Sequence, residues 1–180
     1  MKTRLTVICV CVLLCLAGGS FAGDIVKASA VATTAVSGER TVSEETTTPW
    51  IHPKFSSEAR EKLQTAVRIA AERIEEVEEC GALFAGLGAD GKETLAKTLY
   101  FPVSAHNRKD GICRTAAAYT NVGAKSTFVC EEFSWLSDER AAMFVVHEAL
   151  HHAGLTEKPL DRRAMTSLEI NGMVGKKCRF

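Results

Sequence analysis

The chain has 180 residues, of which 46% are hydrophobic, and this is enough for one domain with an apolar core. Lysine and arginine together number 22, aspartate and glutamate also number 22, and the formal net charge is therefore zero. A balanced charge gives no sign of the basic surface that binds nucleic acids or anionic membranes. We expect neither as a partner.

Residues 1–22 have the order of a secretory signal peptide. Lys2 and Arg4 make a positive start, an apolar run follows from Leu5 to Leu16, and small residues lead to Ser20-Phe21-Ala22. The apolar run is shorter than the roughly 20 residues that a membrane-spanning helix needs. The sequence therefore predicts export to a periplasm or out of the cell, without a stable membrane anchor.

Residues 23–49 form a polar lead-in, and the stretch 41–49 (TVSEETTTP) is rich in threonine. Such a composition lacks the apolar residues that a core requires and is typical of a disordered linker. A cleaved pro-segment is the alternative. The folded domain is predicted to span residues 50–180.

Cysteines also indicate export. Three lie in the predicted signal peptide, and the four that follow it are Cys80, Cys113, Cys130 and Cys178. An even number of cysteines in an exported chain predicts two disulfides, and the sequence leaves all three pairings open. No CxxC pair is present, so a cysteine-built zinc site is not expected.

The first half of the domain is predicted to be mainly helical. After possible caps at Ser56 and Ser57, apolar residues recur at helical spacing up to a stop near Cys80-Gly81. A second helix is predicted to open with the capping box Asp90 to Glu93 and to continue through Leu95 and Leu99.

The middle of the domain is strand-like. Residues 114–120 (RTAAAYT) and 127–130 (TFVC) flank a turn that contains Asn121 and Gly123, and this pattern predicts a β-hairpin.

Two further helices are predicted in the second half. One spans Ser137–Ala153 and stops at Gly154. The other opens at Thr166 with Glu169 closing a capping box, and its buried face is predicted to include Leu168, Met173 and Val174. The chain is thus expected to be an α+β domain with the helix Ser137–Ala153 packed on a short sheet.

The motif HExxH occurs in this helix as His147-Glu148-Ala149-Leu150-His151. Residues at i and i+4 lie on one helical face, so the two imidazoles are able to bind one Zn²⁺ ion. Glu148 lies beside the metal position without being a ligand, where it is able to act as general base for an activated water. The apolar residues around the motif predict that the helix is buried, and buried histidines need partners.

A third ligand is needed, because catalytic zinc usually has three protein ligands and a water. Glu157 is the first candidate, since HEALHHAGLTE has the form HExxHxxGxxE and Gly154 lets the chain reverse before it. Asp161 is the rival ligand.

Other candidates are weaker. Tyr119 is a candidate for stabilising an oxyanion, and a core tyrosine is the alternative interpretation. His152 faces away from the histidine pair and is predicted at the surface or in a supporting role. His52 and His106 are isolated and are not assigned to a site.

The order C-x₅-Y-T, V-C-E-E-F-x-x-L and HExxH between Cys113 and Leu155 resembles the catalytic core of the aspzincin metalloendopeptidases, the deuterolysin-like and lysine-specific group. The resemblance implies a zincin-like domain, zinc at His147 and His151, and Glu148 as catalytic base. The third ligand of that family, an aspartate in a G-T-x-x-D segment, has no counterpart here. The HExxHxxGxxE spacing resembles the metzincins instead, and Met165 would serve as their Met-turn.

These observations predict an exported zinc-dependent metalloendopeptidase that hydrolyses polypeptides. Two alternatives remain open: an exported protein that binds zinc without turnover, and a zinc amidase that acts on a cell-wall amide. Glu148 argues against the first alternative, because a purely structural zinc site has no need of a non-ligating acid.

Overall fold

The computed structural model describes residues 48–103 and 111–180. The predicted signal peptide, His106 and all of the predicted linker except its last two residues lie outside the described residues. The two described ranges contain five α-helices and a four-stranded sheet, a mixed α and β structure that confirms the predicted class.

The sheet has the strand order β1-β2-β4-β3. The strands are β1 (Trp50–Ile51), β2 (Leu99–Pro102), β3 (Ala118–Thr120) and β4 (Ser126–Val129). β2 pairs in parallel with β1 and with β4, whereas β3 and β4 form the predicted antiparallel hairpin. β3 therefore lies at one edge of the sheet.

The first helix is shorter than predicted. α1 spans Ser57–Glu76 with Ser56 as its N-cap, and α2 (Glu78–Ala85) follows after a break at Val77, where φ is −107° and ψ is 102°. The predicted stop near Cys80-Gly81 was wrong, because the break redirects the chain so that Cys80 is buried in α2.

The second helix also ends early. Asp90 caps α3 (Gly91–Ala96) by accepting a hydrogen bond from the backbone N–H of Glu93. The predicted continuation through Leu99 was wrong. The backbone N–H of Leu99 donates instead to the Lys125 carbonyl at 2.8 Å, so pairing with the hairpin places this residue in β2.

Both predicted disulfides are present, and their pairing is Cys80–Cys178 and Cys113–Cys130. Cys113 lies within a 3₁₀ turn, Ile112–Arg114, so the strand predicted to begin at residue 114 begins only at Ala118. Disulfides persist in oxidising compartments, so the pairing indicates an extracellular or similar environment. None of the described helices is long and apolar enough to cross a membrane.

The core lies between the sheet and the helices, with α1 packed against α4 (Asp138–His152). The last helix, α5 (Ser167–Lys177), has the predicted capping box at Thr166 and Glu169. Its buried residues are Ile170 and Val174. Leu168 is 80% exposed, so its predicted place on the buried face was wrong.

Candidate metal centre

The end of α4 is shaped by Gly154. This glycine has φ of 102°, and its N–H donates to the His151 carbonyl, while the N–H of Leu155 donates to the Leu150 carbonyl. These two bonds are a Schellman motif, which closes a helix and reverses the chain. The predicted glycine stop is confirmed, and the reversal brings the segment after α4 back toward the HExxH residues.

His147 and His151 face each other. Their Nε2 atoms are 3.0 Å apart, and only 2% and 3% of the two residues are exposed. The opposite ring nitrogens are held at 2.7 Å, where His147 Nδ1 contacts Asn171 Oδ1 and His151 Nδ1 contacts the Leu155 carbonyl. Because these oxygens accept hydrogen bonds, both rings carry their proton on Nδ1. Both Nε2 lone pairs therefore point into one space.

The charge state of His147 supports this assignment. Burial, together with the neighbouring His151 ring, lowers the pKa of His147 to about 4. A neutral ring has a single proton, and because this proton is on Nδ1 facing Asn171 Oδ1, His147 Nε2 has none to share with its neighbour. Two lone pairs 3.0 Å apart repel each other unless a cation lies between them.

Glu157 completes the arrangement. Its Oε2 atom lies 3.8 Å from Nε2 of both histidines, and this buried oxygen has no hydrogen-bond partner within the described part of the chain. The segment is held by a bridge to Met165, whose carbonyl accepts from the Lys158 N–H at 3.0 Å. Met165 thus supports Glu157 through its backbone.

Asp161, the rival ligand, is exposed on the same loop. Its carboxylate accepts a hydrogen bond from the backbone N–H of Arg163 at 2.8 Å. Among the described residues, the group able to hold a metal consists of His147, His151 and Glu157.

Geometry and chemistry both fit zinc. Four ligands at about 2.0–2.1 Å in a tetrahedron lie roughly 3.3 Å from one another. The separations here, 3.0 Å and 3.8 Å, lie on either side of that value. Two imidazoles and one carboxyl group form a His₂Glu ligand set, which is used by catalytic zinc.

Glu148 lies beside this group and is 5% exposed. Burial raises its pKa to about 7, and the charge of Glu157 adds to the effect, while a hydrogen bond with the Thr120 side chain opposes it. None of the residues that the structure describes forms a hydrogen bond with its buried Oε2 atom. A carboxyl group with a pKa near neutrality is suited to both accept and donate a proton.

All four of these side chains line one cleft of about 620 Å³. The cleft is also lined by β3, by the turn before it, and by the loop that carries Glu157. The remaining lining residues are uncharged: Gly111, Ile112, Thr115, Ala116, Ala118, Tyr119, Thr120, Asn121, Pro159 and Ser167.

The structure brings some predicted residues to the cleft and not others. Tyr119 lines the cleft, and its ring stacks on Phe128 at 5.2 Å between centroids. His152 is half-buried and contacts Thr127 of β4 rather than the metal group. His52 packs between aromatic rings at the far side of the sheet, away from the cleft.

Two supporting residues were missed by sequence reasoning. Asn171 orients His147, and Thr120 contacts Glu148. In the sequence, Asn171 is only a polar residue that follows the apolar Ile170 in a predicted helix. Thr120 is only the last residue of a predicted strand, so neither pattern indicated a role in the site.

No protein-family model matches the chain, and no curated protein or solved structure matches it significantly.

Proposed function

We propose that the chain is an exported zinc-dependent metalloendopeptidase. The observation that carries the proposal is that three atoms able to bind a metal, His147 Nε2, His151 Nε2 and Glu157 Oε2, lie within 3.8 Å of one another beside the buried Glu148. Acceptors that are buried without a donor need a cation. Glu148, whose carboxyl group is not one of these three possible ligands, gives the site a general acid and base.

When bound, a zinc ion supplies Lewis-acid chemistry, because it makes water more acidic and polarises a carbonyl group. The residues of the chain then have distinct tasks. His147, His151 and Glu157 hold the ion, and Asn171 with the Leu155 carbonyl keeps the two rings in the ligating tautomer. Glu148 takes a proton from the attacking water and later delivers it to the leaving amine.

The position of β3 supports a polypeptide as substrate. This strand is at the edge of the sheet, and all three of its residues line the cleft that contains Glu148. An extended peptide is able to bind beside an edge strand through main-chain hydrogen bonds. Its scissile carbonyl would then lie within the cleft, near the three acceptors.

The structure of the group favours an enzyme over a zinc-binding protein without turnover. A structural zinc site is usually closed by four protein ligands. Among the described residues, three ligands converge here, and the group opens onto a cleft of about 620 Å³. A position therefore remains for water or substrate.

The proposal is tested with the purified chain, denatured casein, and zinc removal. We expect cleavage of casein that stops when 1,10-phenanthroline removes the metal and returns with added Zn²⁺. Mg²⁺ serves as the control and should not restore cleavage, because it prefers oxygen ligands in octahedral geometry. A zinc-loaded chain that leaves casein intact contradicts the endopeptidase proposal. Release of amines from purified cell wall by that same chain would favour the amidase.

A further inference from the structure

The cleft beside the metal group offers few charges to a substrate. In the described part of the chain, the ionisable side chains of its lining are the Tyr119 phenol and the four of the metal centre: His147, Glu148, His151 and Glu157. Neither a lysine nor an arginine is among these described lining residues, and both carboxyl groups already have a task. A charged substrate side chain would therefore lose its water in the cleft without gaining an ionic partner, which is costly.

Ile112 supplies apolar surface in the same cleft. It is the largest aliphatic residue of the described lining, and 50% of it is exposed. Ala116, Ala118 and Pro159 add further apolar atoms to the lining. Covering such surface with another apolar group is favourable in proportion to the area removed from water.

The backbone holds Ile112 in this exposed position. Its carbonyl accepts hydrogen bonds from the N–H groups of Thr115 and Ala116, both at 3.0 Å. The next residue, Cys113, is joined by a disulfide to Cys130, which directly follows β4. The turn is thus fastened to the sheet, and a ligand finds the apolar surface already formed, so that little ordering is needed on binding.

Two more exposed apolar side chains adjoin the cleft. Leu160 is 79% exposed and directly follows Pro159, and Leu168 is 80% exposed and directly follows Ser167. Pro159 and Ser167 both line the cleft, and successive Cα atoms are only about 3.8 Å apart. With Ile112, three of the six large hydrophobic residues that are exposed in the described ranges therefore lie in the lining or next to it. Such a concentration at a concave site marks a surface that a partner covers.

We propose that the cleft selects polypeptide segments with an apolar side chain next to the scissile bond, and that Ile112 is the residue that recognises this side chain. The inference rests on the proposed function for the cleavage itself, and it adds the class of substrate. Large apolar side chains are mostly buried in folded proteins. The substrates are therefore unfolded or flexible chains, in which such segments are accessible.

A binding test needs no turnover. It uses the Nα-acetylated hydroxamates of leucine and lysine, which bind zinc through the same oxygens and differ in one side chain. On the zinc-loaded chain we expect calorimetry to show about 10-fold tighter binding of the leucine compound, the lower end of the range for an apolar group in a pocket. In Ile112→Asp this preference should disappear or reverse, because a carboxylate pairs with the lysine amine.

Trp135→Asp is the matched control for the binding test. Trp135 is 74% exposed and does not line this cleft, so the variant gains the same charge and should keep the preference for leucine. Equal binding of the two hydroxamates by the unchanged chain, or an unaltered preference in Ile112→Asp, overturns the proposal. Ile112→Thr keeps the branched shape, and it replaces Ile112→Asp with the same expected direction if that variant does not fold.

The bonds cleaved in denatured casein give a second test. Mass spectrometry of the early products should place an apolar residue next to most cleaved bonds. For such bonds we expect Ile112→Asp to lower kcat/KM by about 10-fold at unchanged zinc content. Cleavage mainly between charged residues contradicts the specificity and leaves the peptidase standing. Intact casein together with a preference for the leucine hydroxamate would refute the peptidase and support the apolar recognition.

Discussion

Replacing Glu148 by glutamine is expected to lower kcat/KM for peptide hydrolysis by about 10²–10⁴-fold, the usual contribution of a general acid and base. Glutamine has nearly the same shape and retains an oxygen for the contact with Thr120, but it is unable to accept the proton of the attacking water. Zinc binding should be unchanged within a few-fold, because Glu148 is not one of the three residues of the metal group. Initial rates and zinc titrations measure the two effects separately.

Glu139→Gln is the matched control for this variant. Glu139 lies in the first turn of the same helix and is exposed, so the same change of charge should leave kcat/KM unaltered. Full hydrolysis by Glu148→Gln would contradict the assignment of the base. Loss of zinc by Glu148→Gln would instead make this residue a ligand.

Replacing Glu157 by glutamine is expected to have the largest effect on the metal. The carboxylate oxygen that faces both histidines becomes part of a neutral amide, which is a much poorer zinc ligand. We expect zinc affinity to fall by more than the 10–100-fold that loss of a supporting partner already costs. Competition with a chromophoric chelator measures this change, and hydrolysis should be lost in parallel.

Asp161→Asn is the control on the same loop. Its side chain is exposed and contacts the backbone of Arg163, so zinc affinity should match that of the unchanged chain. If Asp161→Asn weakens zinc binding and Glu157→Gln does not, the third ligand has been assigned to the wrong residue.

Local signals in the sequence were enough to predict α4 and its end. Ser137 caps the helix, and Gly154 takes the left-handed conformation that reverses the chain. Because i and i+4 share a helical face, the opposed imidazoles of His147 and His151 follow from their spacing alone. The sequence favoured Glu157 over Asp161 as third ligand but did not decide between them. The approach of Glu157 to the two histidines depends on its bridge to Met165, a contact that the local sequence does not reveal.

Features that depend on distant partners were missed or misplaced. β1 and β2 are short, and both form their hydrogen bonds in parallel pairs. Parallel strands are not joined by a short hairpin turn, so the sequence next to them carries no turn signal that predicts them. The break at Val77 serves the burial of Cys80, whose disulfide partner Cys178 is 98 residues away. Leu168 follows the first residue of α5 and is exposed, because the buried face of this short helix begins at Ile170.

Supporting contacts of the metal group are beyond sequence reasoning for the same physical reason. Asn171 reaches His147 from another helix, and its role exists only because α5 packs beside α4. Within the hairpin, the Thr120 and Thr127 hydroxyl oxygens lie 2.9 Å apart, and this contact likewise requires the strand register, which a one-residue slip would abolish.

X-ray absorption at the zinc edge of the purified, zinc-loaded chain is the most direct test. We expect two imidazole nitrogens and one carboxylate oxygen at about 2.0–2.1 Å, with a further light atom from water. The imidazole signal should be lost from a chain with both His147→Ala and His151→Ala. A first shell without imidazole, or no bound zinc in the unchanged chain, would contradict a metal centre at these three residues.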